Sequence, residues 1–190
     1  MRIATVLLAA SFSMAAQAQS DIWKQVNPAY TPTQQLQLVT PSDAQLRSVA
    51  KLIHQSGGDS YICAEDGLSN EITERLIFEK IPVTHGQQVL LILVDGSPHT
   101  RGCSAKWLVR FDGEMPVLLA SPDKDFNGNL YSIQPSARHG YNDLVLSWHQ
   151  TVTENDLNYF RFDGKSYVSI GSAREILDKS GKLTIVPDAR

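Results

Sequence analysis

The densest collection of groups able to do acid–base or ligand chemistry lies in one run, Arg138-His-Gly-Tyr-Asn-Asp-Leu-Val-Leu-Ser-Trp-His149. It supplies two imidazoles (His139, His149), a carboxylate (Asp143), a phenol (Tyr141) and an indole (Trp148), with Tyr159 following on. Imidazole and carboxylate are the usual parts of a general acid–base pair or a metal centre. Leu144 to Trp148 read as a strand, so Leu144, Leu146 and Trp148 share one face, while Asp143, Val145, Ser147 and His149 share the other. Asp143 and His149 then stand about 20 Å apart along the chain, which excludes a direct pair within the strand. A metal would need His139 and His149 to converge with a third ligand that the sequence does not identify. His139 is expected in a turn and His149 at a strand end. The segment therefore reads as a binding surface formed by His139, Tyr141, Asp143, Trp148, His149 and Tyr159.

A second candidate is Asp123-Lys-Asp-Phe-Asn-Gly128. Oxygens at Asp123, Asp125 and Asn127, with Gly at the sixth position, match the first half of a calcium loop. Position twelve is Gln134, where that loop requires a bidentate Glu, and strands flank the segment. An EF-hand is excluded. The open alternatives are a loop holding one weak calcium ion and a plain exposed turn, which favours the same residue types. No other cofactor is expected.

Signatures of a catalytic nucleophile are missing: the chain contains no Gly-x-Ser-x-Gly and no His-Glu-x-x-His. Cys63 and Cys103 are the only cysteines, and no Cys-x-x-Cys redox pair occurs. An even count in an exported chain reads as a structural disulfide. That bond would close a loop of about 41 residues, worth about 4 kcal/mol.

Export is inferred from the start of the chain. Met1-Arg2 give a positive end, Ile3 to Ala16 an apolar run, and Ala16-Gln17-Ala18 a small-x-small cleavage site. The run is too short to span a bilayer, so residues 1–18 read as a signal peptide, with no membrane insertion after cleavage. A bacterial periplasmic or secreted location follows. The whole chain carries 17 basic and 20 acidic residues, for a net charge of −3, interspersed throughout. Nucleic-acid binding rests on clustered Lys and Arg, and that cluster is missing.

The elements that must position these groups come next. Residues 19–40, rich in Gln, Pro and Thr, look like an extended arm that Trp23 and Tyr30 could pin to a single domain over 41–190. Thr40 or Ser42 can cap a helix whose Leu46, Val49, Ala50 and Ile53 share one face, stopped by Gly57-Gly58. Short strands follow at 76–83, 89–94, 105–111, 115–120, 130–133, 144–148, 157–162 and 166–170. Val89 to Val94 lacks polar alternation and should be buried on both faces. Ala173 to Leu177 is expected as a turn or two of helix before a last strand at 183–186. The fold class is α+β, mainly antiparallel sheet built of hairpins and meanders, with one N-terminal amphipathic helix. Val109-Arg-Phe-Asp-Gly113 echoes in Phe160-Arg-Phe-Asp-Gly164, each between apolar strands. The echo favours an internal duplication, about 89–121 and 143–172, with Asp-Gly as turn-makers.

The block from Ser132 to Tyr167, with His139-Gly-Tyr-x-Asp143, Leu144-Val-Leu-x-Trp-His149 and Tyr159-Phe-Arg-Phe-Asp-Gly-Lys-Ser-Tyr167, resembles a segment of small exported bacterial proteins of uncharacterised function. That resemblance implies a periplasmic or secreted protein and carries no reaction. The Asp-x-Asn-Gly loop with its Phe-Asp-Gly turn is also similar to FG-GAP-like repeats of calcium-binding propeller adhesion proteins, although two copies are too few for a closed propeller. The expected function is an exported soluble binding protein. Its partner would be an envelope or extracellular protein, such as a hydrolase it inhibits, or a small ligand. The alternatives are a small envelope hydrolase using His139, His149 or Asp143, and a calcium-dependent β module.

Overall fold

The computed structural model describes residues 21–26, 36–56, 72–83, 86–94 and 105–188. The expected signal peptide, Tyr30, Cys63 and Cys103 lie outside them, and with them the disulfide. Two five-stranded antiparallel meanders dominate, as the α+β, mostly β reading expects. The first sheet takes β1 (Gln37–Leu38), β2 (Leu76–Ile81), β3 (Val89–Val94), β4 (Lys106–Asp112) and β5 (Met115–Ala120) in chain order. The second takes β6 (Asn129–Arg138), β7 (Tyr141–Thr151), β8 (Glu154–Phe162), β9 (Tyr167–Leu177) and β10 (Leu183–Pro187), likewise each beside the next. One of the two curls into a half-barrel.

The layers follow from period-two alternation. Val89 and Leu91 face the second sheet and pack with Leu108, Leu144, Leu146, Phe160 and Phe162. Leu90 and Ile92 face the other way, onto helix α1 (Asp43–Gln55) through Val49 and Ile53. β3 is thus a strand covered on both faces, as its unbroken apolar run requires. Helix α1 starts where Ser42 accepts from the Gln45 amide and the Gln45 side chain accepts in return from the Ser42 N–H, a reciprocal cap. A four-residue helix, α2 (Ile72–Arg75), leads into β2.

On the far face of the second sheet, residues 21–26 pack through Trp23 and Val26 against Val145, Leu157, Tyr159 and Ala173. The expectation of an extended arm needs correction at 21–26, which turn helically through the Gln25→Ile22 and Val26→Trp23 backbone bonds. Trp23 is buried there and meets Tyr159 edge-on at 5.6 Å between ring centroids, so it does pin the segment. A second correction concerns Ala173 to Leu177, which are strand and not helix. Ala173 pairs with Leu157 and Glu175 with Asn155, and both Ala173 and Glu175 are buried. Ala-Arg-Glu-Ile-Leu has good helical propensity, but strand pairing on both sides, to β8 and to β10, overrides it.

Strand length shapes what is left open. β3 and β5 have six residues each, whereas β7 and β9 have eleven. At about 3.3 Å per residue the second sheet outruns the first by several residues. Among the described residues, part of its inward face therefore has no sheet opposite it.

Candidate functional site

That overhang forms an open cleft of about 780 Å³, within the ~300–1,000 Å³ range of small-ligand sites. Its floor is the inward face of β7, β8 and β9, from which Trp148, Gln150, Asp156, Asn158 and Ser169 enter it. Its wall is the connection after β5, with Lys124, Asp125 and Asn127. Strand pairing aligns the floor: Trp148 stands opposite Asp156 and Leu146 opposite Asn158. The Gln150 amide donates to Asp156 Oδ2 at 2.6 Å. Trp148 is 37% exposed, whereas Trp23 and Trp107 are buried.

The wall is fixed by local geometry. Ser121 and Pro122 open a single 3-10 turn, and Asp125 closes it in the left-handed region at φ 61°. The Asn127 amide donates to the Pro122 carbonyl at 3.2 Å, and Asn127 bridges to Ala105. Gly128, at φ 99°, lies so close to β7 that a Cβ there would overlap the Ser147 carbonyl oxygen. The loop is thereby pressed onto the second sheet at the edge of the cleft. Among the described residues, no group of three or more His, Cys, Asp or Glu is placed to hold a metal ion. Asp123 and Asp125 are exposed, and Asn127 already serves the turn.

The six residues expected to form one binding surface divide between two faces and two ends of the sheet. His139 and Gly140, at φ 52° and 80°, form the two-residue turn between β6 and β7. The His139 ring sits edge-on to Phe162 at 6.4 Å. Tyr141 points into the core between the sheets, donating to Gln87 Oε1 at 2.8 Å and accepting from Arg110 Nη1 at 3.1 Å. Trp148 shares that inward face but lies beyond the core, in the cleft. Asp143, Tyr159 and His149 face outward. The run from Tyr141 to His149 spans about 26 Å, so the two histidines lie at opposite ends of the sheet. They therefore form no constellation with Asp143.

Asp143 is wholly buried, and its carboxylate has other partners. Arg161 donates from Nη2 to Oδ2 at 2.6 Å and from Nε to Oδ1 at 3.2 Å, while Ser136 and Tyr159 hydroxyls reach Oδ2 at 2.9 and 3.2 Å. The Arg161 guanidinium is held above its ordinary pKa by that carboxylate. Burial, foremost, pushes the Tyr159 phenol up as well. Four donors, two of them from Arg161, make Asp143 half of a closed structural pair.

At the other end of the outward face runs a second chain of bonds. Tyr131 and Asn155 donate to the two oxygens of buried Glu175, at 2.5 and 2.8 Å, and Asn155 Oδ1 meets His149 Nδ1 at 3.1 Å. Burial and then the Glu175 carboxylate drive the Tyr131 phenol far up.

The sequence did not single out Gln150, Asp156, Asn158 or Ser169. The signal was present: Gln150 has the parity of Trp148, and pairing the expected strands 144–148 and 157–162 places Asn158 on the same face. What spacing could not supply was the missing stretch of opposing sheet. Among the described residues no helix is long and apolar enough to cross a membrane. No family model, no curated protein and no solved structure matches this chain.

Proposed function

We propose that this is an exported binding protein, working in the periplasm or outside the cell, which holds a small polar ligand in the cleft over Trp148. One observation carries the reading. Trp148, unlike Trp23 and Trp107, stands in an open cleft among polar side chains, whereas the clusters around Asp143 and Glu175 are closed among themselves. An exposed indole beside amide and carboxylate groups is the usual make-up of a recognition site, apolar in body and polar at the rim. Catalysis gains no support, since neither histidine nor Asp143 lines the cleft. On this reading the partner is a ligand that fits between wall and floor, in place of a protein docked on a broad surface.

The test is the melting temperature of the mature protein and of Trp148→Ala with a panel of solutes: neutral tetrasaccharides, amino acids, polyamines, nucleotides and calcium. A ligand of the native state must raise stability, by about 2.7 kcal/mol at a hundred times its Kd. At least one solute is expected to raise the wild-type value and leave that of Trp148→Ala unmoved. If no solute raises it, or every solute that does so acts equally on the variant, the reading is wrong.

A further inference from the structure

From the lining of the cleft we infer the class of its ligand: a neutral, hydroxyl-rich chain, that is, a short oligosaccharide. The inference rests on the cleft being the ligand site. Charge is the first argument. Among the described residues, Lys124 is the cation of the lining, and Asp125 and Asp156 line it too. An anion such as a nucleotide or phosphate would meet more negative than positive charge, and phosphate recognition calls for converging Arg, Lys or backbone amides. A cationic ammonium ligand needs aromatic faces around it. Trp148 offers one, while the Tyr167 ring is 1% exposed and packed against Phe162 and Tyr141.

Hydrogen-bond type is the second argument. Gln150 and Asn158 bring carboxamides and Ser169 a hydroxyl, groups that both donate and accept. Sugar hydroxyls also donate and accept, and vicinal pairs of them match the two ends of a carboxamide. A pyranose ring presents C–H groups on its faces, which can lie against the indole of Trp148 as other apolar groups do. Shape is the third. The cleft is open and not enclosed, which leaves room for a chain whose ends project beyond it.

Intrinsic fluorescence gives the experiment, because Trp148 is exposed while Trp23 and Trp107 are buried. The mature protein is titrated with glucose-, N-acetylglucosamine- and mannose-based tetrasaccharides, and separately with spermidine and ATP, at 50 mM and 500 mM NaCl. One neutral tetrasaccharide is expected to shift the emission, with an affinity unchanged by salt because no charge is neutralised. Trp148→Ala should weaken binding at least tenfold by calorimetry, Asn158→Ala severalfold, and Trp148→Phe, which keeps a flat apolar face, the least. Circular dichroism and melting of each variant confirm its fold, and Asn158→Ala serves if Trp148→Ala does not fold. Salt-sensitive binding of spermidine or ATP, without any tetrasaccharide, overturns the oligosaccharide and leaves the cleft reading standing. Binding of none of these or of the earlier panel overturns both.

Discussion

Arg110 and Arg161 each open an Arg-Phe-Asp-Gly tetrapeptide, and each sits near the end of a strand that continues through a turn into its neighbour, β4 into β5 and β8 into β9. The two copies are mounted with opposite faces inward. Arg110 points between the sheets, to the neutral oxygens of Tyr141 and Gln87, and Phe111 lies on the helix side. Arg161 points away, to the buried Asp143 carboxylate, and Phe162 fills the core between the sheets. The turns differ too: Asp112 pairs with Met115 across a two-residue loop, Phe162 with Tyr167 across four. In the longer one Asp163 Oδ1 accepts from the Lys165 and Ser166 amides, and the hydrogen bonds from Ser166 and then Lys165 hold its pKa below the usual carboxylate value. Both arginines nonetheless reach the first residues of β7, at 141 and 143. A shared tetrapeptide therefore fixes a hairpin and an arginine near the same strand, while the side facing the core decides whether that arginine meets a hydroxyl or a carboxylate.

The sharpest way to break this comparison is to remove each arginine. Arg161→Met leaves the Asp143 charge buried with two hydroxyls for company, and breaking a buried pair from one side costs about 3–5 kcal/mol. Arg110→Met removes two partly exposed hydrogen bonds to neutral partners and should cost about 1–2 kcal/mol. Urea denaturation of the two variants measures both. A double Asp143→Leu/Arg161→Met variant should regain much of the loss, because two apolar groups replace an ion pair. Equal losses for the two single variants would mean that the Asp143 charge does not depend on its guanidinium.

Each sheet also buries charge, Lys106 in the first and Asp143 and Glu175 in the second, and the second prediction sets Lys106 against Asp143. Lys106 in β4 is 5% exposed, bonds Asn129 at 3.3 Å, and is drawn down to about 8 by burial, with Glu79 opposing. Asp143 is met by the Arg161 guanidinium. Since the folded pKa of Lys106 lies below its unfolded value of 10.5, the unfolded chain holds the extra proton between about pH 8 and 10.5. Stability from this residue therefore rises with pH across that window and is lost as pH falls through 8. Between pH 7.5 and 9.5, wild type should gain about 2 kcal/mol relative to Lys106→Met, as denaturation midpoints at the two values would show. Parallel pH curves would place the ammonium in solvent.

How much of this was legible before folding depends on what each feature needs. Strand faces need only parity, so Leu144 and Leu146 against Val145 could be read directly, as could the doubly covered β3. Helix α1 needs a local cap and a stripe, and Ser42, Val49 and Ile53 announce both. Ala173 to Leu177 needed knowledge of partners on both sides, which local propensity lacks. The ion pair of Asp143 with Arg161 joins two strands eighteen positions apart, and the register of β7 on β8 brings it about. His139, His149 and Asp143 looked like a constellation because they are near in sequence, yet a strand of that length holds its ends apart. The cleft depended on something no single segment encodes, the shortfall of one sheet against the other.

The smallest effect separates the two turn glycines. Gly113 has φ 61°, in the left-handed region that L-residues enter at a modest cost, and nothing lies within 4 Å of where a Cβ would stand. Gly164 has φ 108°, outside that region, and the His139 ring stands 3.6 Å from the corresponding Cβ position. Alanine at 113 should cost about 1 kcal/mol and at 164 about 2, the difference being backbone strain, since the ring contact is ordinary van der Waals packing. Urea midpoints of the two variants read this directly. Asparagine, which tolerates the left-handed region, should recover stability at 113 but not at 164. If it rescued both equally, the two turns would share one conformation, and the inverted mounting of the two hairpins would extend only to their strands.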